Sequence, residues 1–396
     1  MEDRDIFIVG GARTAIGDFG GSLKDVQADE LGRIVAVAAM ERAGVKPVDI
    51  QHVVFGQVIQ SRPRDAYVAR VIGVNAGIPT EAPALTVNRL CGSGVQAIIS
   101  AAQTLKLGEA DIALAGGAES MSNAPHVVRA ARFGTKMGDI NMIDAMLEVL
   151  SDPFEGSHMG ITAENVAEKY QVTREAQDAL AVEGHRRAAA AIAEGRFKDQ
   201  IVPVEVKTRK GVVAVDTDEH VRPDASLEEM AKLRPAFKRD GGTVTPANAS
   251  GINDGAAAVV LATGKAVAEQ GLKPLARIVS WGHAGVEPHI MGIGPVKAVP
   301  IALERAGLQL DQIDVIEANE AFAAQACAVA NELGFDPDKV NPNGSGIALG
   351  HPVGATGAIL TVKAAYELKR TGGRYALITM CIGGGQGIAM IIENVA

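Results

Sequence analysis

Four short stretches hold the residues best suited to chemistry. "NRLCGSG" sets Cys91 directly ahead of a glycine-rich turn that runs into the helix-like "VQAIISAAQTLKLG". A thiol at a helix start faces unpaired N–H groups and the positive end of the helix dipole, which favour the thiolate. Gly92 and Gly94 leave room for a second molecule to approach the backbone. "NGSGIALGHPVGATGA" holds His351 between Gly350 and Pro352 before another helix start, where an imidazole can serve a thiol as general base or simply solvate a loop. "CIGGGQG" puts Cys381 after the apolar strand "RYALITM", and its consecutive glycines expose N–H groups suited to a developing oxyanion. "EANEAFAAQACAV" follows the apolar "IDVI" and carries Asn319 and Glu320. A carboxamide there can fix a water or a carbonyl oxygen, or cap the helix that follows. Cys327, inside that alanine-rich helix, reads as packing.

The elements that must position these groups come in two copies. "AMERAGVKPVDI" from Ala39 matches "ALERAGLQLDQI" from Ala302, a shift of 263 residues, and the same ungapped shift lays "LCGSGVQAIISAAQTLKLGEADIALAG" on "VGATGAILTVKAAYELKRTGGRYALIT". It pairs Gly94 with Gly357, Cys91 with Gly354 and Ala118 with Cys381. A constant register over both blocks points to a duplicated α/β unit, and the order of its elements favours a mostly parallel sheet. The reactive groups then sit at strand ends and helix starts of two related halves, each supplying part of the set. Residues 119–250 differ in character, rich in His, Met, Asp and Pro, with a charged helix around "TREAQDALAVEGHRRAAAAIAEGRF" and a β-like "IVPVEVKTRKGVVAVD". An insertion of this length between duplicated cores reads as binding surface. The expected division is therefore 1–118 and 251–272 for the first half, 119–250 for the insertion and 273–396 for the second half.

Composition excludes several classes. A chain of 396 residues exceeds one ordinary core. With 47% apolar but only 4% aromatic residues, small aliphatic side chains must fill its interior, as in close-packed α/β layers. A net charge of −9 without a long basic run argues against a nucleic-acid partner. No stretch is apolar enough to span a bilayer, so no membrane association is expected. The acidic opening runs directly into a strand-like segment, unlike a secretory signal. Three cysteines without paired metal spacing suggest reduced thiols in the cytoplasm and no metal site.

Together, "NRLCGSG", "NEAF", "GHPVGATGA" and "CIGGGQG", in this order and over essentially the whole chain, resemble the thiolase family, most closely its bacterial biosynthetic-type and broad-range β-ketothiolases. The resemblance implies two βαβαβαββ halves in a five-layer α-β-α-β-α arrangement, an inserted loop domain that binds coenzyme A, and a homotetramer built from dimers. It implies reversible condensation of acetyl-CoA with an acyl-CoA, with coenzyme A thioesters as substrates and no tightly bound cofactor. In that scheme Cys91 is acylated, His351 takes its proton, and Cys381 removes a proton from acetyl-CoA. One oxyanion hole uses His351 and a water on Asn319, the other the N–H groups of Cys91 and Gly383. Family positions implied for coenzyme A contact are Leu150, His158, Met159, Arg222, Phe237 and Ser250, while Met291 and Phe322 are implied in the acyl pocket. Glu229 stands where relatives can carry serine, and Pro246 where many have alanine, so the adenine end departs from the pattern. A ketoacyl synthase would put a histidine at Asn319 and lacks a counterpart of "CIGGGQG". A non-catalytic relative has no need of all four groups.

Overall fold

The computed structural model describes residue 2 and residues 4–395 of the chain. In the first half, strands β1 (Ile6–Arg13), β2 (Gly17–Asp18), β3 (His52–Gly56), β4 (Ala84–Val87) and β5 (Ile112–Ser120) alternate with helices α1 (Ala28–Ala43), α2 (Val68–Asn75) and α3 (Ser93–Lys106). An excursion follows with β6 (His126–Val127), β7 (Ile143–Asp144), α4 (Ala145–Val149), α5 (Met159–Lys169), α6 (Arg174–Ala193), β8 (Val204–Thr208), β9 (Gly211–Val215) and α7 (Leu227–Ala231). The chain returns through β10 (Asn253–Thr263) and α8 (Gly264–Gln270). The second half comprises β11 (Ala276–Gly285), α9 (Gly294–Ala306), β12 (Val315–Ala318), α10 (Ala323–Leu333), α11 (Gly346–Leu349), α12 (Thr356–Thr371), β13 (Tyr375–Ile382) and β14 (Gln386–Asn394).

The 263-residue register survives in three dimensions. α3 opens at Ser93 and α12 at Thr356, and β5 opens at Ile112 and β13 at Tyr375. α1 and α9 both end on a left-handed glycine, Gly44 (φ 67°) and Gly307 (φ 66°), a cap that frees the last carbonyls to bond without a Cβ clash. The copies differ at β4, whose place in the register is taken by α11, and at one connection. β13 and β14 are joined by Gly383, Gly384 and Gly385, whereas the equivalent strands β5 and β10 pair as directly, Ala118 opposite Ala256, yet are separated by residues 121–252. The whole excursion thus stands in place of a three-residue turn.

All main strands lie in one bent sheet of order β12-β13-β14-β11-β1-β10-β5-β3-β4, with β2 beside β10. The halves meet at β1 and β11, Ile6 opposite Ile278. The expectation of a mostly parallel sheet is not met. β4, β3 and β5 run parallel, as do β12 and β13, but β5-β10-β1 and β13-β14-β11 are antiparallel. The reason is the last connection of each repeat: parallel neighbours need a crossover helix, while a hairpin turn, or an excursion replacing it, returns the chain antiparallel.

Alternation along the strands sorts side chains into layers. Ile8, Ala115, Val259, Ile378 and Met390 face the interior with α3 and α12. Phe7, Val9, Leu114 and Val260 face outward under α1 and α2, and Leu377 and Ile391 face outward under α9. The result is five layers, α-β-α-β-α, with α3 and α12 sandwiched between the sheet halves. That position explains why α12 is buried at nearly every residue, including Lys363, whose ammonium bonds Glu317 at 2.7 Å and the Gly344 carbonyl at 2.6 Å. A buried cation is tolerable only with such partners.

α3 and α12 cross at the residues the repeat aligns. A Cβ on Gly94 would lie 2.5 Å from the Ala358 nitrogen, and one on Gly357 would lie 2.5 Å from the Val95 nitrogen. Backbone meets backbone here, so relief by side-chain rotation is impossible. Gly94→Ala is expected to destabilise the protein by about 2–3 kcal/mol through overpacking, read as a lower urea midpoint; an unchanged midpoint would show that the helices separate at little cost.

Candidate active site

Cys91 lies in the turn between β4 and α3, just before the N-cap Gly92. Leu90 ahead of it has φ 45°, left-handed for a residue with a branched side chain. The turn is held by Asn88 Oδ1, which accepts the Leu90 N–H at 2.9 Å, and by Ser93 Oγ, which accepts the Arg89 N–H at 2.8 Å and donates to the Leu90 carbonyl at 2.7 Å. The backbone N–H groups of Cys91 and Gly383 act on the sulfur to lower its pKa. The shift runs opposite to the one expected from the helix start. Burial outweighs the two donors and pushes the thiol up to about 11, and the charge of nearby Glu119 works in the same direction.

His351 is buried and held on both sides. Its backbone N–H donates to Asn253 Oδ1 at 2.8 Å, and its Nδ1 lies 2.6 Å from Thr356 Oγ1. The Thr356 hydroxyl spends its one proton on the Pro352 carbonyl at 2.9 Å, so it accepts from Nδ1–H and leaves the lone pair on Nε2. Asn319 Nδ2 approaches that Nε2 at 3.3 Å. Burial lowers the imidazole to about 4, which keeps it neutral and able to take a proton at neutral pH.

Cys381, on β13 opposite Gly387 of β14, is fully buried in an apolar cluster with Met159, Met291 and Phe322. Burial pushes its thiol far above the ordinary range, and charge on Cys91 adds to the shift. Of the glycines that follow, Gly384 (φ 80°) and Gly385 (φ 86°) turn the chain into β14, while Gly383 sits against Leu90 and Met159.

These groups surround one cavity of about 520 Å³. Cys91, His351 and Gly383 line it; Cys381 lies beneath the lining, and Asn319 meets it only through His351. Leu150, His158, Met159, Arg222, Phe237 and Ser250 all line it, as do Met291 and Phe322. His158 caps α5 by accepting the Gly160 N–H on Nδ1 at 3.0 Å, so its Nε2 carries the proton and is a donor. Its ring stacks on Phe237 at 4.7 Å, and Phe237 meets Phe322 edge-on at 6.4 Å, forming an aromatic wall. Gly160 must be glycine because a Cβ would enter the Phe237 ring at 2.2 Å. The loop bearing Arg222 is tied down by the buried Arg13–Asp218 pair at 2.7 Å, by His220 Nδ1 on Asp18 Oδ1 at 2.5 Å, and by the Arg222 N–H on His185 Nδ1 at 3.2 Å. Pro246 also lines the cavity, whereas Glu229 is exposed and pairs with Lys232.

Sequence reasoning missed the residues behind these groups. Asn253 and Thr356 orient His351, and Glu119, fully buried, accepts the N–H groups of Val58 (3.0 Å), Ile59 (3.1 Å) and Gly354 (2.9 Å). The available signal was a lone carboxylate closing the apolar strand "IALAGGAES". Among the described residues, no group of three His, Cys, Asp or Glu is placed to hold a metal, and no helix is long and apolar enough to cross a membrane.

A thiol under two N–H donors, a neutral imidazole beside it, and a duplicated βαβαβαββ scaffold define a cysteine-based acyltransferase. The family description "Thiolase, N-terminal domain" matches residues 6–265, and "Thiolase, C-terminal domain" matches residues 272–394. The chain is 64% identical to the beta-ketothiolase BktB of Cupriavidus necator, over 99% of this chain and 100% of that one. It is 48% identical to human mitochondrial 3-ketoacyl-CoA thiolase, over 99% of each chain. The crystal structure of that human enzyme superposes with a TM-score of 0.97 over 100% of both chains at 47% identity, and that of Bacillus anthracis acetyl-CoA acetyltransferase with 0.97 over 99% of both at 45%. The protein belongs to the thiolase family.

With the Cys91 thiol raised to about 11, its thiolate fraction is small at neutral pH and grows with every step in pH. Iodoacetamide labelling of Cys91, followed by peptide mass spectrometry, is expected to accelerate roughly tenfold per pH unit between pH 7 and 9 without a plateau. A plateau below pH 8 would mean that the resting enzyme holds a thiolate.

Proposed function

We propose that the protein is an acyl-CoA C-acyltransferase, a β-ketothiolase that condenses acetyl-CoA with an acyl-CoA to a 3-ketoacyl-CoA and coenzyme A, and runs the reverse thiolysis. The observation that carries this reading is that Cys91 and His351 line one cavity, with the backbone N–H groups of Cys91 and Gly383 favouring charge on the Cys91 sulfur and Nε2 left as the unprotonated ring nitrogen of His351. Cys91 attacks the thioester carbonyl while His351 takes its proton. The N–H groups of Cys91 and Gly383 then face the carbonyl oxygen, where fixed donors in a dry site stabilise charge best. Cys381, held protonated by burial, gives its proton to the departing coenzyme A sulfur and so becomes the base for the next step. It removes a proton from the methyl of a second acetyl-CoA; His351, with a water on Asn319, steadies the enolate oxygen. The carbanion attacks the acyl-Cys91 thioester, and the Cys91 sulfur leaves with the proton that His351 stored.

The excursion serves as the coenzyme A-binding loop domain, in the division 1–118, 119–250, 251–272 and 273–396. Leu150, His158, Met159, Phe237 and Ser250 hold the pantetheine arm, Arg222 meets the nucleotide, and Met291 and Phe322 bound the acyl group. That a close structural relative was crystallised in complex with CoA, with a TM-score of 0.96 at 47% identity, supports this placement. Substrates are coenzyme A thioesters, without a tightly bound cofactor. Exposed Phe133, Met137, Met142 and Phe154 in the excursion support a homotetramer. The enzyme acts in the cytoplasm, in fatty acid metabolism and the supply of 3-ketoacyl-CoA for polyhydroxyalkanoate.

Incubation with acetyl-CoA followed by acid quench and intact-mass measurement is expected to show one added acetyl group, absent in Cys91→Ala. No adduct on folded protein would sink the catalytic reading. Cys381→Ser is expected to acylate yet fail to condense, and loss of acylation there would mean the two cysteines are misassigned. Across a series of linear 3-ketoacyl-CoAs, kcat/KM is expected to peak at acetoacetyl-CoA and somewhat longer chains; a steady rise beyond medium length would point to a degradative enzyme instead.

A further inference from the structure

The repeat register relates two places in the molecule that hold different chemical groups. At the start of α3 stands Cys91, whose sulfur is favoured as an acceptor by its own backbone N–H and by that of Gly383, the residue just past β13. The residue equivalent to Cys91 in the second repeat is Gly354, at the start of α12. Its N–H donates at 2.9 Å to the Oε2 of Glu119, near the end of β5, the strand equivalent to β13. Each helix start is therefore met by the strand end of the other repeat. In one the acceptor is a sulfur, in the other a carboxylate. A Cβ on Gly354 would lie 2.5 Å from Glu119 Oε2 and 3.0 Å from the Gln57 Cα, so this second place has no room for a nucleophile of its own.

We propose that Glu119 fills the place in the second repeat that corresponds to the Cys91 sulfur in the first, and acts there as the positioning residue for the His351 turn. The carboxylate spans the two repeats. Oε2 accepts both Gly354 N–H and Val58 N–H (3.0 Å), and Oε1 accepts Ile59 N–H (3.1 Å). Gly354 lies between His351 and Thr356, the residue that fixes the imidazole tautomer. Val58 and Val353 line the cavity next to Cys91, and both belong to the small apolar cluster against which Leu90 and Cys91 pack. One fully buried side chain thus sets the floor of the cavity and the turn that aims Nε2. Glu119 touches no substrate and acts through the backbone it holds.

A glutamine in its place offers one acceptor oxygen and one NH₂ group to three N–H donors, so at least one donor loses its partner. This inference rests on the acyl-transfer reading, and the wild-type protein in the same assay separates the two. Full-length Glu119→Gln is compared with wild type for single-turnover acylation by acetyl-CoA, read by intact mass, and for steady-state kcat and KM. Asp65→Asn serves as the control, because buried Asp65 accepts the Ser61 (2.9 Å) and Arg62 (3.1 Å) N–H groups of the same loop but has no bond to the His351 turn. Both variants are expected to lower the melting temperature. Only Glu119→Gln is expected to slow acylation and kcat, by about 10- to 100-fold for a misaimed base, with KM for acetyl-CoA held within about twofold.

Equal acylation rates in wild type and Glu119→Gln would overturn the positioning role, as would an equal loss in Asp65→Asn. Wild-type protein that does not acylate would overturn this role and the acyl-transfer reading together. Should Glu119→Gln fail to fold, Gly354→Ala carries the test, since its methyl displaces the carboxylate from the same turn. It is expected to slow acylation to a similar degree, and full activity in that variant would overturn the proposal.

Discussion

The constraint on which the site depends is the crossing of α3 and α12 at Gly94 and Gly357. Helices ordinarily pack 8–10 Å apart, with side chains between them. Here each glycine leaves space that the other helix's backbone occupies, with a missing Cβ on either side only 2.5 Å from a backbone nitrogen. Because the crossing lies in the first turn of both helices, it draws together the segments just ahead of them. One of those segments is the Cys91 turn and the other is the His351–Thr356 turn. The sheet halves on either side hold the pair in place through a shared apolar interior. A wider crossing would move the Cys91 turn away from the His351 turn.

Burial then sets the chemistry of what has been assembled. Both cysteines and His351 are held in their uncharged forms, the thiols pushed up and the imidazole down to about 4, because a dry interior penalises charge on each of them. A neutral imidazole can accept, and a neutral buried thiol can donate. The turn that carries the Cys91 N–H is fixed by Asn88 and Ser93, so that donor costs little to reorganise.

The excursion shows how a binding surface is added to such a core. It replaces a three-residue turn, so the strands on either side of it stay paired and the core is undisturbed. It does not form a body of its own. Val204, Val206 and Val215 of the β8–β9 hairpin join the outer core of the first half, while α6 runs beside α10 and α11 of the second. Only its remaining segments, anchored by the Arg13–Asp218 pair and the Asp18–His220 contact, wall the cavity. Arg222, in the loop those contacts hold, owes its place to them.

The sequence by itself determined the duplication, the elements at its ends and the family to which the chain belongs. These are local or periodic properties: an ungapped 263-residue register, glycines that cap α1 and α9, and a cysteine, histidine and asparagine each set beside a turn. Strand direction was not legible, because it depends on whether the last connection of a repeat is a hairpin or a crossover. The protonation state of Cys91 was misread for a related reason. A helix start is visible in sequence, whereas the packing from other parts of the chain that reduces its contact with water is not. Glu119, Asn253 and Thr356 also emerged only in three dimensions, since what they hold lies on the other repeat or across a turn, at separations up to 235 residues. Tertiary structure decided the charge, aim and spacing of the reactive groups, because those depend on what is packed against a residue and not on its neighbours along the chain.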